Sequence, residues 1–249
     1  MQPEIEKSLV NSALALQVLS LIDLTSLNDN DTDESIQALC AKAVTANGHV
    51  AAVCVYPRFV ALARRLLVNT PVRIATVVNF PQGNDELEPV LQLMTKTISD
   101  GADEIDVVFP YRLFLAGDRE GAGEFIRSCK TQCGKDILLK VILETGVLSD
   151  AQTIMDISDA AITAGADFLK TSTGKVPTGA TLEAATVMLS AIKNHSSHVI
   201  GFKASGGIRT LAQAAQYIHL AQSIMGDGWI STRTFRFGAS QLLDEVLGF

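Results

Sequence analysis

The chain has 249 residues, 47% of them hydrophobic and 19% charged. A chain this long can bury roughly 70–75% of its unfolded surface without disulfides or metals, which excludes a disordered protein. Twenty Lys and Arg against twenty-seven Asp and Glu give a net charge of -7, the opposite of a nucleic-acid surface, so an anionic ligand has to be met by a local cluster of positive groups.

From the N-terminus, MQPEIEKSLV places two glutamates and one lysine before any apolar run, the wrong charge order for a signal peptide, so the segment is expected to stay on the mature protein. Short β-branched runs then predict eight strands, at 18–23, 50–56, 72–78, 103–109, 137–143, 166–172, 199–205 and 228–232. Between them, apolar residues recur at three and four in helical segments such as 35–44, 86–99, 151–164 and 182–194. The run from Asp29 to Glu34 spaces carboxylates like a calcium loop but has Glu34 and Cys40 where Gly and Glu belong; with Asp31 three residues before Glu34, it reads as a helix N-terminus. Units of 20 to 35 residues repeated eight times predict an α/β fold, a (β/α)8 TIM barrel in one domain spanning 1–249. A doubly wound open sheet is the alternative, weakened because no G-x-G-x-x-G follows the first strand.

No window approaches the 18 or so uninterrupted apolar residues of a membrane span, so no membrane partner is expected. Cys40, Cys54, Cys129 and Cys133 are too few and too irregularly spaced for a disulfide scaffold. They read as reduced thiols, which favours the cytoplasm.

Reacting groups in a barrel stand at the C-terminal ends of strands, so the polar residues that interrupt strands there are the candidates. They are Glu104 and Asp106 in DEIDVVF, Lys140 in ILLKVIL, Lys170 ending ADFLK and Lys203 ending VIGFK. Any one lysine can snorkel or pair with an acid. Three on successive strands form a cluster whose members depress one another's pKa, and a lysine so neutralised attacks carbonyls. Asp106 is the natural partner for a proton relay through a water, with a plain salt bridge as the alternative. Asp23, Cys54 and Lys140 are further pocket candidates, packing being the competing reading for the thiol.

Backbone N–H groups at glycine turns before helices form anion sites, and barrels often place one after the seventh and eighth strands. Gly206-Gly207 with Arg209, Gly238-Ala239-Ser240, and Thr171-Ser172-Thr173-Gly174-Lys175 provide three such loops. His49, His195, His198 and His219 fall outside strand ends, and the His195-x-x-His198 turn has no nearby Cys or carboxylate to complete a zinc set. Neither a metal nor another cofactor is expected.

The segments LIDLTSLNDNDTDE, CVYPRFV, RIATVVNFPQGND, GADEIDVVFPYR, LLKVILETG, GADFLKTSTGK, GFKASGGIRT and FRFGASQLL resemble the deoxyribose-phosphate aldolase family in its bacterial branch, from about residue 20 to the last helix. The resemblance implies a (β/α)8 class I aldolase acting in deoxynucleoside catabolism. It would interconvert 2-deoxy-D-ribose 5-phosphate with D-glyceraldehyde 3-phosphate and acetaldehyde, without a cofactor. Matched by motif, Lys170 corresponds to the Schiff-base lysine, Lys203 to the second lysine that lowers its pKa, and Asp106 to the acid/base residue. Lys175, Gly174, Gly206, Gly207, Arg209 and Ser240 resemble the phosphate-side group. Two departures stand out: Ala204-Ser205 replaces Pro-Ala, and relatives continue past the position of Phe249 into a tail ending in tyrosine, a difference expected to affect rate rather than reaction. Another Schiff-base barrel aldolase and a non-catalytic sugar-phosphate binding protein remain open readings, and assembly into a homo-oligomer has no sequence signature.

Overall fold

Eight parallel strands close into a barrel in the computed structural model, which describes residues 2–148, 150–195 and 198–248, with side chains from Ser12 onward. They are β1 Ile22–Ser26, β2 Ala52–Val55, β3 Arg73–Val78, β4 Glu104–Val108, β5 Leu138–Ile142, β6 Phe168–Lys170, β7 Gly201–Ser205 and β8 Phe235–Ala239. Each strand pairs with its neighbours in sequence, and β8 closes on β1 with Ile22, Asp23 and Leu24 opposite Phe237, Gly238 and Ala239. That closure realises the (β/α)8 expectation and removes the open-sheet alternative. The helices are α1 Gln2–Leu21, α2 Asp33–Lys42, α3 Val60–Leu67, α4 Leu87–Ser99, α5 Tyr111–Leu115, α6 Arg119–Cys133, α7 Ala151–Thr163, α8 Leu182–Asn194, α9 Leu211–Met225 and α10 Leu242–Val246.

Seven predicted strands overlap observed ones; the first is corrected at its start and the last is displaced. Residues 18–21 finish α1, and β1 begins only at Ile22. A short apolar run such as VLSLI suits a buried helix face as well as a strand. The 228–232 segment lies in a 3-10 turn and loop around Trp229, while the eighth strand is Phe235–Ala239. Arg236 and Gly238 disguise this strand, since a cation and a glycine both argue against sheet. Gly238 and Ala239 are thus the end of the strand rather than the turn after it.

The acidic run does start a helix, with a different cap. Thr32 accepts from the Ser35 N–H, and Ser35 Oγ accepts from the Thr32 N–H. Asp31 instead accepts from Ser26 Oγ at 2.8 Å and the Asn28 N–H at 2.9 Å, tying down the loop after β1. Thr210 caps α9 in the same reciprocal manner with Gln213, and Thr181 caps α8 by accepting from the Ala184 N–H.

Strand alternation divides the buried side chains into two layers. Ile105, Val107, Leu139, Val141, Leu169 and Phe202 join the large apolar layer under the helices. On the inward face, Ala52, Cys54, Ala75 and Val77 form a separate small cluster with Leu27 on the β2–β3 side, and the opposite side holds the charged residues with Phe168 beneath Arg236.

All four cysteines are free and buried. Burial pushes the Cys40 thiol up to about 11 and those of Cys129 and Cys133 up to about 12. Among the described residues, no helix is long and apolar enough to cross a membrane. Phe249, where the tail comparison falls, and Ser196 and Ser197 within the histidine turn lie outside the described residues.

Candidate active site

Barrel register sets three lysines and their acids side by side. Asp106 stands opposite Lys140 across β4–β5, Lys170 opposite Lys203 across β6–β7, and Lys203 opposite Arg236 across β7–β8. Asp106 accepts from all three lysines: Lys140 at 2.8 Å on Oδ1, and Lys170 and Lys203 at 2.8 Å each on Oδ2. Lys140 also meets Glu104 at 2.5 Å and Asp23 at 3.7 Å, and Lys203 meets Asp23 at 2.6 Å. Arg236 bridges the two outer acids, at 2.6 Å from Asp23 Oδ1 and 3.1 Å from Glu104 Oε1.

Two glycines make room for this cluster. A Cβ on Gly238 would lie 2.1 Å from Ser205 Oγ and 3.1 Å from Lys203 Cε; one on Gly201 would lie 2.3 Å from the Phe168 ring. Any side chain at Gly238 would therefore displace Lys203 or Ser205.

The three buried lysines are not equivalent. Burial, and next the charge of Lys203, lowers the pKa of Lys170 against the pull of Asp106. Burial acts in the same direction on Lys140 and Lys203 but is outweighed by paired carboxylates, Asp106 with Glu104 for Lys140 and Asp106 with Asp23 for Lys203. Both are raised. The carboxyls of Asp23 and Asp106 are held below the usual range: burial alone would raise them, and the surrounding cations overcome it.

A cleft of about 540 Å³ opens at the C-terminal ends of the strands. It is lined by Lys170 and by every residue of the expected phosphate group: Gly174, Lys175, Gly206, Gly207, Arg209 and Ser240. Gly206 and Gly207 have φ of +89° and +87°, and the Gly206 carbonyl accepts from the Ala180 N–H at 3.0 Å, bringing the β6 and β7 loops into contact. The Ala204-Ser205 departure is braced by Thr171, whose Oγ1 accepts from the Ser205 N–H at 2.9 Å and donates to the Ser205 carbonyl at 3.0 Å. Lys175 reaches across the barrel mouth, donating to the Leu27 carbonyl at 2.6 Å.

Three pocket candidates are corrected. Asp23, Lys140 and Cys54 are completely buried and do not line the cleft; Asp106 and Lys203 are equally buried beneath it, with Asp106 in contact with Lys170 at its floor. Asp23 and Lys140 are committed to ion pairs, and Cys54 packs in the small apolar cluster, its thiol raised by burial and by Asp106. His195 and His198 turn to the backbone carbonyls of Ala191 and Ala166. Among the described residues, no group of three or more His, Cys, Asp or Glu side chains could hold a metal ion.

Two residues escaped the sequence reading. Arg236 lies in β8, beyond the 228–232 segment expected as a strand, and its cation between two phenylalanines is the local signal that a partner is needed. Glu144 holds the β6 loop: buried, with φ +57°, it accepts from the Thr173 N–H at 3.1 Å and Thr173 Oγ1 at 2.5 Å.

The DeoC/LacD family aldolase model matches residues 17–244. A Toxoplasma gondii protein provisionally assigned as a deoxyribose-phosphate aldolase superposes with a TM-score of 0.89 at 26% identity, over 96% of this chain and 95% of that one. A Coccidioides immitis protein with the same provisional assignment is 30% identical, with a TM-score of 0.83 over 94% of this chain and 86% of its own. The deoxyribose phosphate aldolase of Aeropyrum pernix, described as tetrameric, gives 27% identity and a TM-score of 0.76 over 96% and 95% of the two chains.

Proposed function

The chain belongs to the DeoC/LacD aldolase family and is a lyase; from that premise we propose that it cleaves 2-deoxy-D-ribose 5-phosphate to D-glyceraldehyde 3-phosphate and acetaldehyde, and runs the reverse, through a Schiff base on Lys170. The observation that carries this reading is the position of Lys170: within the buried charged cluster, it is the amine that both contacts Asp106 and lines the cleft beside the phosphate loops.

In the cleavage direction, neutral Lys170 adds to the C1 aldehyde of the open-chain sugar, and the carbinolamine loses water to give an iminium. Asp106, acting through a water, removes the proton of the C3 hydroxyl. The C2–C3 bond breaks, the C3 oxygen becomes the aldehyde of glyceraldehyde 3-phosphate, and the bonding pair moves to the iminium to form an enamine. Protonation of the enamine carbon by the same acid gives the acetaldehyde iminium, which water hydrolyses to acetaldehyde and free Lys170. The iminium is the electron sink, a role that a Lewis-acid metal fills in other aldolases.

Lys175, Arg209, Ser240 and the N–H groups around Gly174, Gly206 and Gly207 are assigned to the phosphate. Contacts to that remote group hold the reacting carbon near Lys170, making a bimolecular step a positioned one. Self-association, as in the tetrameric Aeropyrum relative, belongs to the same proposal and is checked by sedimentation.

The direct test is turnover of 2-deoxy-D-ribose 5-phosphate in excess chelator, reading acetaldehyde and glyceraldehyde 3-phosphate. Equal release of both products without divalent metal is expected. Cleavage only of a different phosphosugar would replace the substrate, and binding without cleavage would make the chain a sugar-phosphate binding protein.

A further inference from the structure

The barrel interior holds four basic groups, Lys140, Lys170, Lys203 and Arg236, against three carboxylates, Asp23, Glu104 and Asp106. The set carries one proton too many for charge balance. Arg236 cannot release it, because guanidinium stays charged in proteins. Lys140 is held by Glu104 and Asp106, with Asp23 within 4 Å, and Lys203 by Asp23 and Asp106. Lys170 has one carboxylate oxygen, Asp106 Oδ2, and shares it with Lys203.

Without Arg236, three lysines would face three carboxylates, and a balanced set would keep Lys170 protonated. We propose that Arg236 is a positioning residue whose permanent charge occupies Asp23 and Glu104, leaving the buried set one carboxylate short so that Lys170 gives up its proton. It acts through Asp23 and Lys203 and does not line the cleft. Arg236 is 2% exposed, so water screens its charge poorly. Its relevance to catalysis rests on the Schiff-base reading above; its effect on the protonation of Lys170 does not.

Other groups facing Lys170 leave this count intact. From β2, Cys54 stays a neutral thiol because burial disfavours its anion. From β3, Arg73 stands 3.8 Å from Glu104, but its side chain is 49% exposed and its charge is largely answered by solvent. Asp106 on β4 and Lys203 on β7 touch the same contact, and Lys140 on β5 reaches it through Asp106.

The register places Arg236 two strands from Lys170 in one row, about 10 Å away at the usual strand spacing. A unit charge at that distance, in an effective dielectric near 20, moves a pKa by roughly 1 unit. The test reads Lys170 without aldol chemistry: cyanate carbamylates only neutral amines, and peptide mass mapping at a series of pH values gives the midpoint for this lysine alone. Arg236→Met should move that midpoint up by about 1 unit and Asp23→Asn should move it down by a similar amount. The double variant, which removes one charge of each sign, should return close to the parent. Opposite signs are what a charge count demands and a loss of packing would not produce. If Arg236→Met does not fold, Asp23→Asn decides by sign, and an upward or absent shift overturns the proposal. For a folded Arg236→Met, a midpoint unchanged or lowered does the same. A wild-type chain that gives the expected midpoints but no borohydride-trapped aldehyde would refute the Schiff-base reading and leave this inference standing.

Discussion

Replacing Lys203 with methionine isolates the positive charge that bears most directly on Lys170. Both ammonium nitrogens lie 2.8 Å from Asp106 Oδ2, so they are at most 5.6 Å apart, twice that distance. Two unit charges at that separation repel by about 3 kcal/mol in an effective dielectric near 20, which corresponds to roughly 2 pKa units on Lys170. The sign follows from the direction of the shift. Lys170 is lowered, so its neutral form is populated above the lowered value, and removing Lys203 raises that threshold. The acidic limb of kcat/KM should therefore move up by about 2 pH units, with a loss of about a hundredfold below it and recovery in alkaline solution. The variant also strips a buried partner from Asp23 and Asp106, at a cost of roughly 3–5 kcal/mol, so a melting curve accompanies the pH profile. A folded Lys203→Met enzyme with an unmoved acidic limb would refute the charge argument and leave Lys203 as an ion-pair partner that holds Asp23 and Asp106 in place.

Asp106→Asn should still accept an aldehyde on Lys170, because the amine is retained, but should lose turnover by about 10²–10⁴ for want of the acid/base group; equal loss of trapping and turnover would deny it that role. Replacing Arg209 or Lys175 with alanine should weaken the phosphorylated sugar about ten- to a hundredfold while barely affecting unphosphorylated deoxyribose, and equal losses on both would remove these residues from the phosphate site. Gly201→Ala sets a methyl against the Phe168 ring, which is 1% exposed, and should cost about 1–3 kcal/mol in urea unfolding; an unchanged midpoint would mean that the ring can yield.

The middle of the barrel is legible because its strands are largely buried and β-branched: VAAVCVY, VRIATVV and ILLKVIL carry charged residues only at Arg73 and Lys140. The two ends are not. β1 follows a long helix whose last turn is as apolar as the strand, so hydrophobicity gives no boundary at Ile22. β8 carries Arg236, which pairs with Asp23 and Glu104 from strands 213 and 132 residues earlier, partners that no local window contains. The same distance effect governs the site. Lys170, Lys203 and Asp106 stand out as charges in apolar strands, but which lysine loses its proton depends on how four basic side chains share six carboxylate oxygens, and only the closed barrel determines that.

The central claim is that Lys170 is the nucleophile, and covalent trapping tests it most directly. The protein is incubated with acetaldehyde or 2-deoxy-D-ribose 5-phosphate, reduced with borohydride, digested and mapped by mass. The account predicts one reduced two-carbon adduct on Lys170 from acetaldehyde, blocked by Lys170→Met at every pH. An adduct on Lys203 or Lys140, or none during turnover, would contradict it.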